Sequence, residues 1–591
     1  MYILGISCFY HDSAAALIQD GKLIAASMEE RFSRIKNDSS YPMQAIEFCL
    51  RKAGISAQDL EYVVFYEKPL VKFERILMSA LGTFPRSREV WQEAMLAWLP
   101  QKLWVKSTIH TRLNVAQKRI LFADHHMSHA ASAFFCSPFD EAAVLTVDGV
   151  GEWTTTAMGR AKADWDGTGR NTIELFAEQR FPHSLGLLYS AFTAFLGFKV
   201  NEGEYKVMGM APYGQPKYID KVQKLIHINA DGSFELAMDY FSFHYSATET
   251  YNRRFNDLFG ERRPSSDDFF TMQTNPERAG EAAMQTNQYY ADVAASIQAV
   301  TEDALLKMAR SLYEKTGLKK LVFAGGVALN SVANFKILHE TPFEEIYIQP
   351  AAGDDGGALG AALWAYHCVL GKPRAFVMDH AYWGEEYSDA ETRAFLESAG
   401  IAYEFVENDE ALLDRVAESL AAGKVIGWHQ GRFEWGPRAL GNRSILADPR
   451  RAEMKEIVNT KIKFREPFRP FAPVVLAERA AEYFDFPDVA KQMPPKFMLM
   501  VSPVIEDKWT IIPATTHAGG TGRLQTIDAA TNYRYYEVVR RFGEITGVPV
   551  LLNTSFNLRG EPIVNTPQDA WNTFHNSGLD LLAIGRFLVK K

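Results

Sequence analysis

Apolar and polar positions fall in blocks that predict a strand-rich α/β chain. Residues 2–7 (YILGIS) are apolar, 8–13 (CFYHDS) are polar and turn-like, and 14–18 (AAALI) are apolar again. Gln19-Asp20-Gly21 then turns into a third strand over 22–26. Apolar residues at helical spacing predict a helix over 43–53, closed by Gly54, and a strand follows over 63–66. The opening pattern recurs. Residues 142–147 (AAVLTV) predict a buried strand ending in Asp148-Gly149-Val150-Gly151, with 153–158 as its partner. Two strand–polar turn–strand units imply an internally duplicated α/β fold. Residues 321–330 (LVFAGGVALN) and 345–364 (EIYIQPAAGDDGGALGAALW) each read as strand, Gly-rich turn and helix start, where free backbone N–H groups suit a nucleotide or other anion. The apolar stretch 185–198 is interrupted by Tyr189, Ser190 and Thr193 and is too short to span a bilayer, so it is expected as a buried helix.

The regular pattern breaks near Gly371-Lys372-Pro373, which places a boundary between about residues 366 and 400. The expected division is a first domain over 1–370, a linker over 371–395 and a second domain over 396–591. The last third changes character: a helix over 410–422 and a strand over 425–428 lead into HQGRFEWGPRALGNRSILADPR and NTKIKFREPFRPFAP. Arg438, Arg443, Lys463, Arg465, Arg469 and Arg523 sit in Gly/Pro-flanked, turn-rich sequence and predict a cationic basin. The basin stands out because the 591-residue chain carries 63 Lys+Arg against 72 Asp+Glu, a formal charge of −9. That balance disfavours nucleic acid and anionic membrane as partners while leaving a local anion site open. Four scattered cysteines and an amino terminus without a basic start or cleavage site predict a reducing, cytoplasmic setting.

The sharpest chemical signal is Asp124-His125-His126-Met127-Ser128-His129. On a helix, His125 and His129 are i and i+4, with rings about 6 Å apart on one face. Three of the fourteen histidines lie within the five residues His125–His129, a density that packing alone does not require. Two imidazoles need carboxylate partners; Asp148 at a strand end and Asp354 at a helix start are the natural donors, with Asp355 left open against Asp354. Such a His₂-carboxylate set suits Fe(II), Mn(II) or Zn(II). His11, in the first hairpin turn, can accept a hydroxyl proton or hold a phosphate; turn stabilisation by Asp12 and Ser13 is the competing role. Gly325, Gly326 and Val327, followed by Asn330, permit close backbone approach to a base or ribose. Neither G-x-x-x-x-G-K-[ST] nor a suitably placed G-x-G-x-x-G occurs, which disfavours P-loop and Rossmann readings. Lys463-x-Arg465 and Ser555-x-Asn557 are spaced like two strand-borne pairs facing one phosphate-binding cavity.

HDSAA, EERFSRIKND, HHMSHAASAF, VDGVGEW, GEYKVMGMAPYG, AGGVALN, GDDGGALGAA, GPRALGNRSILADPR, REPFRPFAP and LNTSFN follow one another in that order. Together they resemble the NodU/TobZ-type O-carbamoyltransferases from end to end. The resemblance implies a duplicated actin-like α/β domain, of the type that makes threonylcarbamoyladenosine, followed by a YrdC-like α/β domain. It also implies the reaction. Carbamoyl phosphate and ATP, with Mg(II), would give carbamoyl adenylate in the second domain. The first would pass the carbamoyl group to a hydroxyl of a small-molecule or sugar acceptor, releasing AMP. Residue by residue, the resemblance assigns metal ligation, with iron as the family metal, to His125, His129, Asp148 and Asp354. It assigns catalytic roles to His11, Lys463, Arg465, Ser555 and Asn557, and nucleotide contact to Gly325, Gly326 and Val327. Around Gly519 the family's usual Asp is missing, which leaves a carboxylate role in that loop without a bearer. A sugar kinase of the actin-like superfamily and a tRNA threonylcarbamoyl enzyme compete with this expectation. The acceptor and any homodimer are left open by the sequence.

Overall fold

The computed structural model describes residues 1–100, 102–466 and 468–591. They form two compact units: Met1–Ala25 with Ser39–Val377, and Ala26–Asp38 with Met378–Lys591. The second therefore begins inside the expected linker, at Met378, and takes in a segment, 26–38, that the sequence pattern assigns to the first domain. No helix among the described residues is long and apolar enough to cross a membrane.

The first unit is built twice on one plan. Its first sheet has the order β3-β2-β1-β4-β5, from β1 (Tyr2–Ser7), β2 (Ala14–Gln19), β3 (Lys22–Met28), β4 (Leu60–Phe65) and β5 (Ile120–Phe122). The second comprises β6 (Glu141–Val147), β7 (Thr154–Lys162) and β8 (Thr172–Arg180); a small hairpin, β9 (Ile226–Ile228) and β10 (Phe234–Leu236), precedes its last two strands, β11 (Lys320–Ala324) and β12 (Glu345–Tyr347). Its order is β12-β11-β6-β7-β8, the same sequence of strands read from the other edge. In each sheet the leading strand pairs antiparallel with the next and parallel with the one that returns after a helix. This is the duplicated actin-like α/β architecture. Both leading strands are buried along nearly their whole length, which is why they read as continuous apolar runs.

Small residues set how closely the helices approach. Asp354–Trp364 (DDGGALGAALW) is buried along nearly its full length between β1 and the helix His125–Phe134. A Cβ on Gly5 of β1 would overlap the Ala358 carbonyl, and one on Gly360 would overlap the Ser128 carbonyl. The glycines thus let backbone meet backbone, and the two helices come together with their first turns side by side.

The second unit is a nine-stranded sheet, order β13-β21-β20-β14-β15-β19-β16-β18-β17. Its strands are β13 (Glu404–Phe405), β14 (Ile426–His429), β15 (Arg443–Ala447), β16 (Ala472–Leu476), β17 (Met500–Pro503), β18 (Thr521–Ile527), β19 (Val550–Ser555), β20 (Leu581–Ile584) and β21 (Phe587–Lys590). Alternate residues face two apolar clusters. Ile426, Trp428, Leu446, Leu551, Leu581 and Ala583 join one with helices Asp409–Ala421 and Tyr533–Thr546. Ile445, Ala447, Leu552, Leu582 and Ile584 join the other with helix Pro567–His575. The inserted segment 26–38 is tied in by Arg31, which donates to the Gly436 carbonyl at 2.9 Å and stacks 4.7 Å over Phe433. Arg34 donates to the carbonyls of Ile563 and Pro562 at 2.6 and 3.0 Å.

Candidate active site

In the first unit, the helix His125–Phe134 opens directly after β5, and Asp124 gives no side-chain cap. Glu152 supplies it from the turn between β6 and β7: its carboxylate accepts the His125 amide at 3.0 Å and the Lys68 amide at 2.8 Å. The first helical turn is thereby fixed beside the end of β6. His125 Nε2 lies 3.1 Å from His129 Nε2, 3.2 Å from Asp148 Oδ2 and 3.6 Å from Asp354 Oδ1. His129 Nε2 lies 3.5 Å from Asp354 Oδ1 and 4.0 Å from Asp148 Oδ2. All four donor atoms fall within 4.8 Å of one another, and all four residues are buried. The Gly326 amide donates to Asp148 Oδ1 at 2.8 Å and aims the other oxygen at the imidazoles. Gly325 adopts φ +94°, and a Cβ there would overlap the Val147 carbonyl, so this turn requires glycine.

The electrostatics of the cluster ask for a cation. Neither oxygen of Asp354 has a hydrogen-bond partner among the described residues, although Asp354 is only 2 % exposed. Two buried carboxylates facing two imidazoles form a donor set of the right charge and type for a divalent metal, and the residues fit one. Burial alone would raise Asp148, but the His125 and His129 imidazoles and the Gly326 amide hold it well below the usual carboxylate range. Burial likewise opposes charge on His125, yet Asp354, Asp148 and Glu67 push it well above an ordinary histidine. His126, between the two, belongs to the core: Nε2 donates to the Thr154 carbonyl at 2.9 Å and Nδ1 meets the Thr146 hydroxyl at 2.8 Å. Its burial, beside His125 and His129, lowers it to about 3. His11 pairs with Asp12 at 2.8 Å in a turn where Phe9 and Asp12 both have positive φ. Burial lowers its pKa, but the Asp12 hydrogen bond and the Asp354 charge outweigh it, and His11 stands at about 9.

In the second unit, Lys463 is buried and its Nζ donates to the Ser555 carbonyl, Ser555 Oγ and Asn557 Oδ1 at 2.6, 3.0 and 2.8 Å. Ser555 Oγ also donates to Asn557 Oδ1 at 2.8 Å. Burial, with Arg465, Arg469 and Lys36 nearby, pushes Lys463 well below the usual lysine range. The expectation of two strand-borne pairs needs correction. Only Ser555 lies on a strand, as the last residue of β19. Lys463 closes a π-helical turn, Ile457–Ile462, and Phe464 has φ +48°. The lysine reaches Ser555 and Asn557 because this wide turn ends against β19, not because two strands share a face.

Residues 2–363 match the family description "Carbamoyltransferase N-terminus", and residues 417–591 match "Carbamoyltransferase C-terminus". The chain belongs to the carbamoyltransferase family. An uncharacterized protein of Synechocystis sp. is 46% identical over 100% of this chain and 97% of its own length. Nodulation protein NolNO of Sinorhizobium fredii is 38% identical over 99% of this chain and 79% of its own. The 3'-hydroxymethylcephem-O-carbamoyltransferase of Streptomyces clavuligerus is 34% identical over 42% of this chain and 44% of its own.

Several residues of this carbamoyltransferase take places other than the expected ones. Arg443 is fully buried on β15, and its guanidinium donates to the carbonyls of Gln430, Gly431, Asn442 and Glu385. It braces the loop before it and does not face an open basin. Asn330 caps the helix Ser331–Glu340 by accepting the Ala333 amide and pairs with Gln298 at 3.1 Å, so its side chain is spent on structure. Arg523 lies on β18, not in a turn; Arg438 is partly exposed, and Arg465 donates to Asn459 Oδ1 at 2.8 Å beside Lys463. Arg469 pairs with Glu466 at 2.5 Å. Val327 is the second residue of the short turn Gly326–Leu329. Sequence reasoning missed Glu67, which faces His125 Nδ1 at 3.7 Å and binds Lys72 at 2.6 Å, and Glu152. It also missed Lys36, whose charge reaches Lys463. Glu67 lies just past the buried strand β4, as Asp148 lies just past β6, and an acid at the end of an apolar strand is the signal that could have found it.

Proposed function

We propose that this carbamoyltransferase activates carbamoyl phosphate with ATP in its second unit, as carbamoyl adenylate, and transfers the carbamoyl group to an acceptor hydroxyl in its first, with AMP leaving. The observation that carries the reading is the buried His125–His129–Asp148–Asp354 cluster, with an unsatisfied Asp354 carboxylate and His11 close enough to feel its charge. A divalent metal, iron first and Mn(II) or Zn(II) as alternatives, would be held by those four residues and, when bound, supplies Lewis acidity toward the carbamoyl oxygen.

The chain's own residues do the rest. Asp12 holds the His11 ring in place; a cation held by Asp354 and Asp148 would offset the carboxylate charges that help to raise His11, freeing the neutral ring to accept the proton of the acceptor hydroxyl as it attacks the carbamoyl carbon. Glu152 and Gly326 keep the histidine helix and Asp148 rigid, so little reorganisation accompanies the reaction. In the second unit, Arg465 and Arg469 present cations to the phosphates, and Lys463, held by Ser555 and Asn557, regains its charge as an anionic phosphate approaches. The acceptor is a hydroxyl-bearing small molecule or sugar.

Analysis of the product nucleotide tests the reading. Carbamoyl phosphate and ATP should give AMP, pyrophosphate and phosphate with a gain of one carbamoyl group on the acceptor. ADP as the only nucleotide product would overturn it. Lys463→Ala should abolish adenylate formation and spare transfer from supplied carbamoyl adenylate; loss of both steps would refute the division of labour.

A further inference from the structure

The inward face of the helix Pro69–Gly82 carries two cations one turn apart, Lys72 and Arg75, exposed 5 % and 8 %. Lys72 is matched: Nζ donates to Glu67 Oε2 at 2.6 Å and lies 4.9 Å from the centre of the Tyr10 ring. Arg75 is not. Its guanidinium lies 4.9 Å from the ring centre of Phe181, and its buried Nε has no hydrogen-bond partner. The side chain makes no hydrogen bond or ion pair with any described residue. The two carboxylates that act on its charge are committed elsewhere: Glu67 to Lys72, and Glu152 to the amides of Lys68 and His125.

A guanidinium offers five N–H donors; the buried Nε–H of Arg75 is shut off from water without an acceptor, and the terminal N–H groups, unpaired with any described residue, are available to a ligand. Burial already draws Arg75 down to about 10, against the pull of Tyr10, Glu67 and Glu152. The Phe181 ring lies beside the guanidinium without using its N–H donors, which leaves them for a two-oxygen partner. Tyr10, which also acts on Arg75, is 42 % exposed and lies 4.6 Å ring to ring from His11, so this neighbourhood opens to solvent next to the reacting groups. Phe243 extends the aromatic surface, 6.3 Å from Phe181.

We propose that Arg75 anchors an anionic oxygen group, a carboxylate, sulfate or phosphate, carried by the acceptor, and so selects hydroxyl compounds with such a group near the hydroxyl. This rests on the reading of the first unit as the site of carbamoyl transfer. The acceptor is favoured over the donor because Arg75, Tyr10 and His11 come from segments around the first sheet. The Gly325–Val327 turn, where the family resemblance puts the nucleotide, follows β11 of the second.

Two measurements on the metal-loaded full chain test it, with wild type, Arg75→Gln and Arg75→Lys. The first is calorimetric titration with inorganic sulfate. Wild type should show a site that Arg75→Gln weakens at least about tenfold and Arg75→Lys, which keeps the charge and the fold, retains in part. Equal sulfate binding by wild type and Arg75→Gln overturns the proposal. The second is AMP release from supplied carbamoyl adenylate with D-glucose or D-glucuronate as acceptor. Wild type should favour glucuronate in kcat/KM, and Arg75→Gln should lower the glucuronate value at least about tenfold more than the glucose value. An equal loss with both sugars, with a raised KM for carbamoyl adenylate, would assign Arg75 to the donor phosphate and overturn the proposal. Wild type that releases no AMP with any acceptor counts against the transfer reading, and the sulfate titration then decides the role of Arg75 by itself.

Discussion

Three histidines within five residues of one helix meet two different fates. His126 has a hydrogen-bonding partner at each ring nitrogen, one of them a carbonyl that can only accept, so its Nε2 carries a proton, and burial beside His125 and His129 favours the neutral ring. His125 and His129 instead turn their Nε2 atoms to one another and to two carboxylates. Asp354→Asn should therefore lower divalent metal affinity by about 100-fold or more, read as metal retained after dialysis. The neutral histidines set an acid limit. His126 and His517 are lowered to about 3 and His367 to about 4, each chiefly by burial. The unfolded chain takes up their protons near pH 6.5 and the folded one does not, so their stability contribution is complete above 6.5 and lost as pH falls toward 3. Each removes up to about 1.4 kcal/mol per pH unit in that window. Melting temperature should fall steadily from pH 6.5 to 4; a flat profile would show the histidines protonated in the fold.

Elements position these residues through close packing. Asp354 reaches the imidazoles because its helix, thinned at Gly360, lies against the histidine helix with backbone nearly touching backbone. Gly360→Ala should push the two helices apart. The expected result is destabilisation by about 1–3 kcal/mol, seen as a lower urea midpoint, together with weakened metal binding. The same logic separates Asp354 from Asp355: neighbours on a helix point about a quarter-turn apart, and only Asp354 meets the cluster. Glu152→Gln should keep the hydrogen bonds of the cap but lose its charge, costing about 0.3–1 kcal/mol in thermal unfolding.

At the scale of the molecule, the segment 26–38 is an amino-terminal stretch that belongs to the carboxy-terminal unit. Arg31 and Arg34 hold it by carbonyl bonds and by stacking. Arg31→Ala leaves the Gly436 carbonyl and the buried Glu30 without this partner and should destabilise that unit by about 1–3 kcal/mol in urea unfolding. Nothing in the local pattern of EERFSRIKND reveals this, since its contacts lie about 400 to 530 residues away in the chain.

The sequence by itself determined the elements and the duplication. Apolar periods of two and 3.6 are local properties, and the repeated hairpins at residues 2–18 and 142–158 carry the same pattern in both halves. The i, i+4 spacing of His125 and His129 was legible for the same reason: helical geometry alone puts both on one face. The tertiary structure decided everything that depends on which surfaces meet. It chose Asp354 over Asp355, spent Asn330 and Arg443 on structure, drew Lys36 toward Lys463, and left Arg75 buried without a counter-ion among the described residues. These outcomes follow from backbone approach distances and from the removal of water around charges, and neither is written in any short stretch of sequence.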